Sequence, residues 1–272
     1  MKNFSVNEIK ESLKKIGLKK GDLIYLNPEF YRLGKLKEAT NKNIYYKIFY
    51  DLILKKIGKT GTIVSNCYSF QTLRYNKKFI FEKTSSTSGG WSEFMRNLKG
   101  SVRSKHPVFS VVAVGRLKKI ICGKNSLNNY GKNSPYDIFL QHNGKILNIG
   151  MKPELNPFRH VVEFNFGVPY CYNKFTKISY YKKNKKINKI FSSFVQYTSL
   201  NLNQKIRDKM NEKIRIFIYK NVKIKKSKLG SGEIYFYNAN EYCSAIGKIL
   251  NNNLLGLLGN EKIFQKGKFP YK

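Results

Sequence analysis

The sequence predicts an α/β fold, a three-layer domain in which helices cover both faces of a buried sheet, with an irregular C-terminal third. Short, continuously apolar runs such as LIYL at 23–26, TIVS at 62–65 and KILNIG at 145–150 read as buried strands. Amphipathic stretches alternate with them, and the alternation stops by residue 175.

The elements follow in order. Residues 6–16 set Ile9, Leu13 and Ile16 at helical spacing behind Ser5, a fitting N-cap, and Gly17 ends that helix. The strand 23–26 comes next, and Asn27-Pro28-Glu29 turns with helix-starting chemistry. Residues 44–56 give a second amphipathic helix, after which KTG leads into strand 62–65. Residues 67–88, rich in Ser, Thr and aromatics, read as a long loop, a feature often tied to function in compact domains. A short helix at 91–98 follows Gly89-Gly90, residues 108–115 form an apolar strand, and 118–122 has no clear pattern. Residues 137–141 end a helix, 142–144 turn, and 145–150 return as a buried strand. Beyond this, 175–217 is polar and lysine-rich, and strands near 222–224 and 233–236 flank Gly230-Ser231-Gly232. Residues 240–250 close with an amphipathic helix, and without an internal repeat or clean linker, 1–272 reads as one domain.

At 41% hydrophobic and 14% aromatic residues, the chain can bury a sizeable core, which excludes general disorder. Charged residues break every apolar run near the N-terminus, and no stretch of about 18 apolar residues occurs, so no signal peptide or membrane span is expected. Cys67, Cys122, Cys171 and Cys243 lie far apart with no CxxC pair; they read as reduced packing residues of a cytoplasmic protein, with no metal site expected. The net charge of +36 attracts anions. Only eight basic residues are arginines, and AT-rich coding bias accounts for lysine over arginine but not for so few acids. The lysines are densest at 181–189 and 220–228, the latter alternating with Val and Ile like a strand with one solvated face. No groove- or base-reading motif accompanies them, so nucleic acid is not the expected partner, whereas peripheral contact with an anionic membrane is compatible with the charge.

Only His106, His142 and His160 offer a side chain suited to proton transfer near neutral pH. His142 sits in the turn LQHNGK and reads as a solvated surface residue. His160 lies in NPFRHVVEFNFGVPY, where Pro157 is placed to open a helix, so that His160 and Glu163 share one face. A carboxylate there can accept one ring N–H, fix the tautomer and leave the other nitrogen as a base. Alone the spacing is weak, but the helix begins one short loop beyond the carboxyl end of a strand, where open α/β sheets bind ligands. His106 lies in GSVRSKHPVFS beside Arg103, Ser104 and Ser110; a polar strand entry and a functional loop both fit, and Arg103 has the chemistry to bind phosphate.

Together these blocks resemble the aminoglycoside 3-N-acetyltransferase family. The resemblance runs through GDLIYLNPEFYRLG, GKTGTIVSNCYSF, FEKTSSTSGGWSEFMRNLKGSVRSKHPVFSVVAVG, SPYDIFLQHNGKILNIG, NPFRHVVEFNFGVPY and LGSGEIYFYNANEY, nearly the whole chain. Arg-Ser-x-His-Pro followed by His-x-x-Glu at this distance is its most specific part. It implies a three-layer αβα sandwich with a central mixed sheet, and transfer of an acetyl group from acetyl-CoA to an amine without a metal. It also implies His160 as general base with Glu163 as its partner, and direct attack of the amine on the thioester. His106 and the groups from Arg103 to Ser110 are implied to meet the developing oxyanion, and Asn27, Arg103, Ser104, His106 and Ser110 to contact CoA. Two departures stand out: Asn27-Pro28-Glu29 replaces the family's His-Ser-Ser, and Pro157 and Arg159 replace its Thr and Leu.

Charge bears on the acceptor. Aminoglycosides are polycations that a +36 protein repels at long range unless its cleft is locally acidic, so an amino sugar of polysaccharide or glycan synthesis is the expected acceptor. The alternatives are an aminoglycoside acetyltransferase conferring antibiotic resistance and a catalytically idle relative that binds polyanions or membrane. Oligomeric state is not legible.

Overall fold

The computed structural model describes residues 3–124, 126–197 and 204–258. The chain opens with β1 (Asn3–Phe4), α1 (Val6–Lys15), β2 (Leu23–Pro28), a 3-10 turn (Phe30–Arg32), β3 (Lys35–Leu36), α2 (Lys42–Ile57) and β4 (Thr62–Asn66). There follow α3 (Phe70–Arg74), β5 (Phe79–Ile80), α4 (Gly90–Asn97), β6 (Val102–Arg103), β7 (Val111–Gly115), α5 (Lys118–Gly123), α6 (Pro135–Gln141), β8 (Lys145–Ile149) and α7 (Phe158–Phe166). The remainder comprises β9 (Cys171–Lys177), β10 (Tyr180–Lys182), β11 (Lys185–Ile187), β12 (Ile190–Gln196), α8 (Gln204–Asn221), β13 (Lys225–Leu229), β14 (Gly232–Asn238) and α9 (Ala239–Asn252).

The central sheet has the order β13-β14-β8-β2-β4-β7-β6. It is mixed, because β8, β2 and β4 run parallel while β14, β13, β7 and β6 pair antiparallel. Strand alternation divides the core in two. Leu23 and Tyr25 of β2, Val64 of β4, Ile146 of β8 and Tyr237 of β14 face one side, with Phe158, Val161, Ile214 and Tyr242 of the covering helices. Ile24, Leu26, Ile63, Leu147 and Phe236 face the other, against Ile9, Phe49, Ile53 and Met95. These are the three layers of an αβα sandwich.

Local signals hold at α1, where Ser5 and Glu8 form a reciprocal capping box, and at α6, where Ser134 caps and Pro135 opens the helix. Other elements differ from expectation. The apolar run from Val108 becomes strand only at Val111, because the Val108 and Phe109 N–H groups donate to the His106 ring rather than to a neighbouring strand. The unpatterned 118–122 is α5, and the loop 67–88 contains α3 and β5. The strand expected at 222–224 is β13 at Lys225–Leu229, which turns Ser227 and Leu229 inward and the lysines outward. The lysine-rich 175–217 forms the β9–β12 ribbon, β10–β11 and much of α8, apart from 198–203, which lie outside the described residues. Among the described residues no helix is long and apolar enough to cross a membrane.

Candidate active site

The parallel strands β2, β4 and β8 end on one edge of the sheet. Asn27 follows Leu23 and Tyr25 on the α7 face of β2, and Asn66 follows Val64 on the same face of β4. After β8 the chain passes through 151–156 into α7. Asn156 Oδ1 accepts the Phe158 N–H at 3.0 Å, and Tyr237 Oη donates to Pro153 O at 2.7 Å. Phe158 packs between Tyr25, Tyr136 and Phe139 at ring separations of 5.1–5.5 Å, which pins the start of α7 to the sheet.

One turn into α7, His160 Nδ1 and Glu163 Oε2 lie 2.5 Å apart, while Tyr170 Oη donates to Glu163 Oε1 at 3.1 Å. Arg159 Nε lies 3.6 Å from the same oxygen. The Glu163 side chain is 3% exposed and that of His160 37%, so the carboxylate is enclosed and the imidazole opens outward. Burial alone would raise the Glu163 carboxyl; the electrostatic pull of His160 and Arg159 and the bonds from His160 and Tyr170 outweigh it and hold the carboxyl below its usual range. An ionised Glu163 directs the Nδ1 proton toward itself and leaves Nε2 as an acceptor. Chemically this is a base with its orienter.

His160 faces a cleft of about 390 Å³ whose wall includes Asn27, Asn66, Tyr68, Tyr130, Glu154 and Arg159. A second compartment of about 550 Å³ shares Asn27, Asn66, Tyr68, Phe70 and Met151 with it and extends to Lys42 and Ser88 through Ser92. The second compartment meets the N-terminus of α4, whose first amides have no partner within the helix. Trp91 Nε1 donates to Ser65 Oγ at 2.9 Å, and Ser65 Oγ donates to Leu26 O at 2.7 Å, so α4 is fixed to the same strand ends as the histidine.

At the shared wall lies a group of tyrosines. Tyr68 Oη is 2.5 Å and Tyr25 Oη 3.1 Å from Tyr136 Oη, and both Tyr25 and Tyr136 donate to Asn66 Oδ1. Burial pushes all three hydroxyls up, so they stay protonated. Sequence reasoning passed over this group; the signal available was Asn66 and Tyr68 directly after an apolar strand.

Asn27 lies on the cleft as expected, but its Nδ2 donates inward, to Leu155 O at 2.8 Å and Met151 Sδ at 2.7 Å. Glu29 lines the second compartment and pairs with Arg32. Of the Arg103–Ser110 block, none of the four candidates Arg103, Ser104, His106 and Ser110 is on the wall of either compartment. Arg103 is buried and donates to Ser110 Oγ, Thr84 O, Cys67 O and Ser69 Oγ, with its guanidinium 4.9 Å from the centre of the Phe79 ring. Ser104 Oγ accepts the Val111 N–H, and Ser110 Oγ donates to Cys67 O. His106 Nδ1 accepts two backbone N–H groups and Nε2 lies 3.2 Å from Ser192 O. Burial pulls its pKa down to about 4, so it is neutral. In the structure Arg103 and Ser110 hold the loop after β4, while Ser104 and His106 bond to the backbone of their own strand entry. His142 is exposed, as expected.

The family model for aminoglycoside 3-N-acetyltransferase matches residues 34–251. Aminoglycoside N(3)-acetyltransferase III of Acinetobacter baumannii is 25% identical over 161 residues, 52% of this chain and 54% of that protein. That match spans about half the relative's length. Among solved structures, AAC-IIIb in binary complex with CoASH is 16% identical with a TM-score of 0.74, covering 92% of this chain and 97% of that one. AAC-VIa bound to sisomicin is 18% identical with a TM-score of 0.76, covering 92% and 98%. The YokD protein from Bacillus subtilis is 20% identical with a TM-score of 0.70, covering 91% and 99%. At these identities the likeness is one of fold, and it extends over the whole sandwich. With the family model matching across most of the chain, this protein belongs to the aminoglycoside 3-N-acetyltransferase family.

Proposed function

We propose that the chain moves an acetyl group from acetyl-CoA to a primary amine of an aminoglycoside, with His160 as general base and Glu163 and Tyr170 orienting it. The observation that carries this is an imidazole, fixed by an enclosed carboxylate, opening onto a cleft of two adjoining compartments. The acceptor amine is assigned to the compartment of His160. Acetyl-CoA is assigned to the other, where the amides of Gly90, Trp91 and Ser92 and the ammonium of Lys42 suit the diphosphate.

Charge alone favoured an amino sugar of glycan synthesis. The relatives favour the aminoglycoside instead: one is an aminoglycoside N(3)-acetyltransferase and another is bound to sisomicin. The cleft is not acidic overall, since Arg159 and Arg207 share its wall with Glu154. It does offer acceptors, because Glu154 Oε2 and Asn211 Oδ1 are buried on that wall without a hydrogen-bond partner among the described residues. An amine- and hydroxyl-rich sugar supplies donors to such groups.

Thiol release from acetyl-CoA, measured with sisomicin, gentamicin and a set of nucleotide-linked amino sugars, tests the reading. The expected result is release that depends on the aminoglycoside, and its loss in His160→Ala at unchanged melting temperature. Turnover retained by His160→Ala would overturn the role of the base. Release with nucleotide-linked sugars alone would overturn the acceptor. A stabilisation of about 2.7 kcal/mol at a hundredfold excess of acetyl-CoA over its Kd reports donor binding independently, and no shift would favour an idle, polyanion-binding relative.

A further inference from the structure

We propose that Asn66 is a catalytic hydrogen-bond donor whose side-chain Nδ2 holds the thioester carbonyl oxygen as it takes on negative charge. This rests on the acyl-transfer reading above and adds the group that receives the oxyanion. Position comes first. Asn66 is the last residue of β4, half-buried, and lines both compartments. A thioester reaching in from one side and an amine from the other meet at that shared wall.

Orientation comes second. Asn66 Oδ1 accepts from the hydroxyls of Tyr25 and Tyr136, both of whose rings are buried. Tyr25 is itself wedged against Phe158 and Phe139 at ring separations of 5.1 and 5.9 Å. With its oxygen so engaged, the amide turns its Nδ2 away from the tyrosines, and among the described residues that nitrogen has no acceptor. A donor dipole held in place with an open N–H on a cleft wall is the arrangement that stabilises developing negative charge at no reorganisation cost.

Several neighbouring donors are engaged elsewhere. The Cys67 N–H donates to Ser110 O at 2.8 Å and the Tyr68 N–H to Ser88 Oγ at 3.0 Å. The side-chain amides of Asn27 and Asn156 donate to Leu155 O and Pro153 O, and Asn211 lines only the His160 compartment. Arg103, Ser104, His106 and Ser110 lie off both walls.

The step then balances as follows. The amine lone pair forms the N–C bond, and the carbonyl π pair moves onto oxygen against the Asn66 N–H. His160 takes the proton from nitrogen. The oxyanion reforms the carbonyl, the C–S bond breaks with its pair on sulfur, and the proton passes to that sulfur, giving amide and free thiol with Asn66 unchanged.

The test is Asn66→Asp, which keeps an acceptor for both tyrosine hydroxyls and removes the N–H, with Asn66→Ala as a second variant should the first fail to fold. Thiol release from acetyl-CoA is followed both with sisomicin and with water as acceptor, alongside His160→Ala. The expected result is a kcat lower by about 10²- to 10³-fold, with KM for acetyl-CoA little changed and the melting temperature retained. Tyr25→Phe, which removes one of the two hydroxyls holding the amide, lowers kcat by about tenfold. Near wild-type kcat in a folded Asn66 variant, or a rise in KM with kcat unchanged, overturns the inference while an inactive His160→Ala leaves the parent reading standing. Full activity in His160→Ala instead removes the mechanism on which it rests.

Discussion

Acidification isolates the consequence of burying His106. Its folded pKa is pulled to about 4, against an ordinary value of about 6.5. Above pH 6.5 the ring is neutral in both folded and unfolded chains and contributes no slope. As pH falls below 6.5, the unfolded chain binds a proton that the folded chain refuses, so stability declines by about 1.4 kcal/mol per pH unit until about pH 4. Over that window the loss reaches about 3 kcal/mol. Denaturant unfolding at a series of pH values reads it, and comparison with His106→Asn subtracts the carboxylates that titrate in the same range. The asparagine oxygen can accept the Val108 and Phe109 N–H groups in place of Nδ1 and carries no titrating proton. Wild type is expected to lose about 3 kcal/mol more than the variant between pH 7.5 and 4. Equal slopes would refute the reasoning, for they would mean that the folded protein protonates His106 as freely as water does.

Two further outcomes follow from the site. Arg103→Lys cannot reproduce donation to Ser110, Thr84, Cys67 and Ser69 from one ammonium, so denaturant midpoints should fall by about 2 kcal/mol or more, while KM for acetyl-CoA stays put; a raised KM at unchanged stability would return Arg103 to the phosphate site. Glu163→Gln keeps the volume but removes the charge that fixes the Nδ1 proton, and kcat should fall by about 10²-fold; unchanged kcat would show that His160 finds its tautomer unaided.

Much of the sandwich was legible because its central strands carry short apolar runs flanked by Gly or Pro, and because α7 opens at Pro157 and carries His160 and Glu163 one turn apart. What hid α8 was lysine. Its buried positions Met210, Ile214 and Ile218 recur every four residues, but the charges between them made the stretch read as solvated. The ribbon β9–β12 escaped for a related reason: Asn173, Lys174 and Phe175 are exposed in succession, so no period of two is visible in that strand. The Arg103–Ser110 block is ambiguous because polar residues beside a histidine look the same in sequence whether they face a ligand or one another. Only packing distinguishes the two, and here a carbonyl, a hydroxyl or a ring meets nearly every polar atom. The tyrosines around Asn66 come from β2, the loop after β4 and α6, a convergence that no spacing along the chain announces.

The wall that the two compartments share also dictates an order of events in time. A protein that parks an acyl group on itself can release its first product before the second reactant arrives. That requires a nucleophile to carry the group, and burial pushes the thiols of Cys67, Cys122, Cys171 and Cys243 up, away from the thiolate form. With the compartments meeting at Asn27, Asn66, Tyr68, Phe70 and Met151, the proposed donor and acceptor lie against one wall. On the proposed direct attack, both reactants are expected aboard together before either product departs, so initial-rate lines at varied donor and acceptor are expected to intersect rather than run parallel.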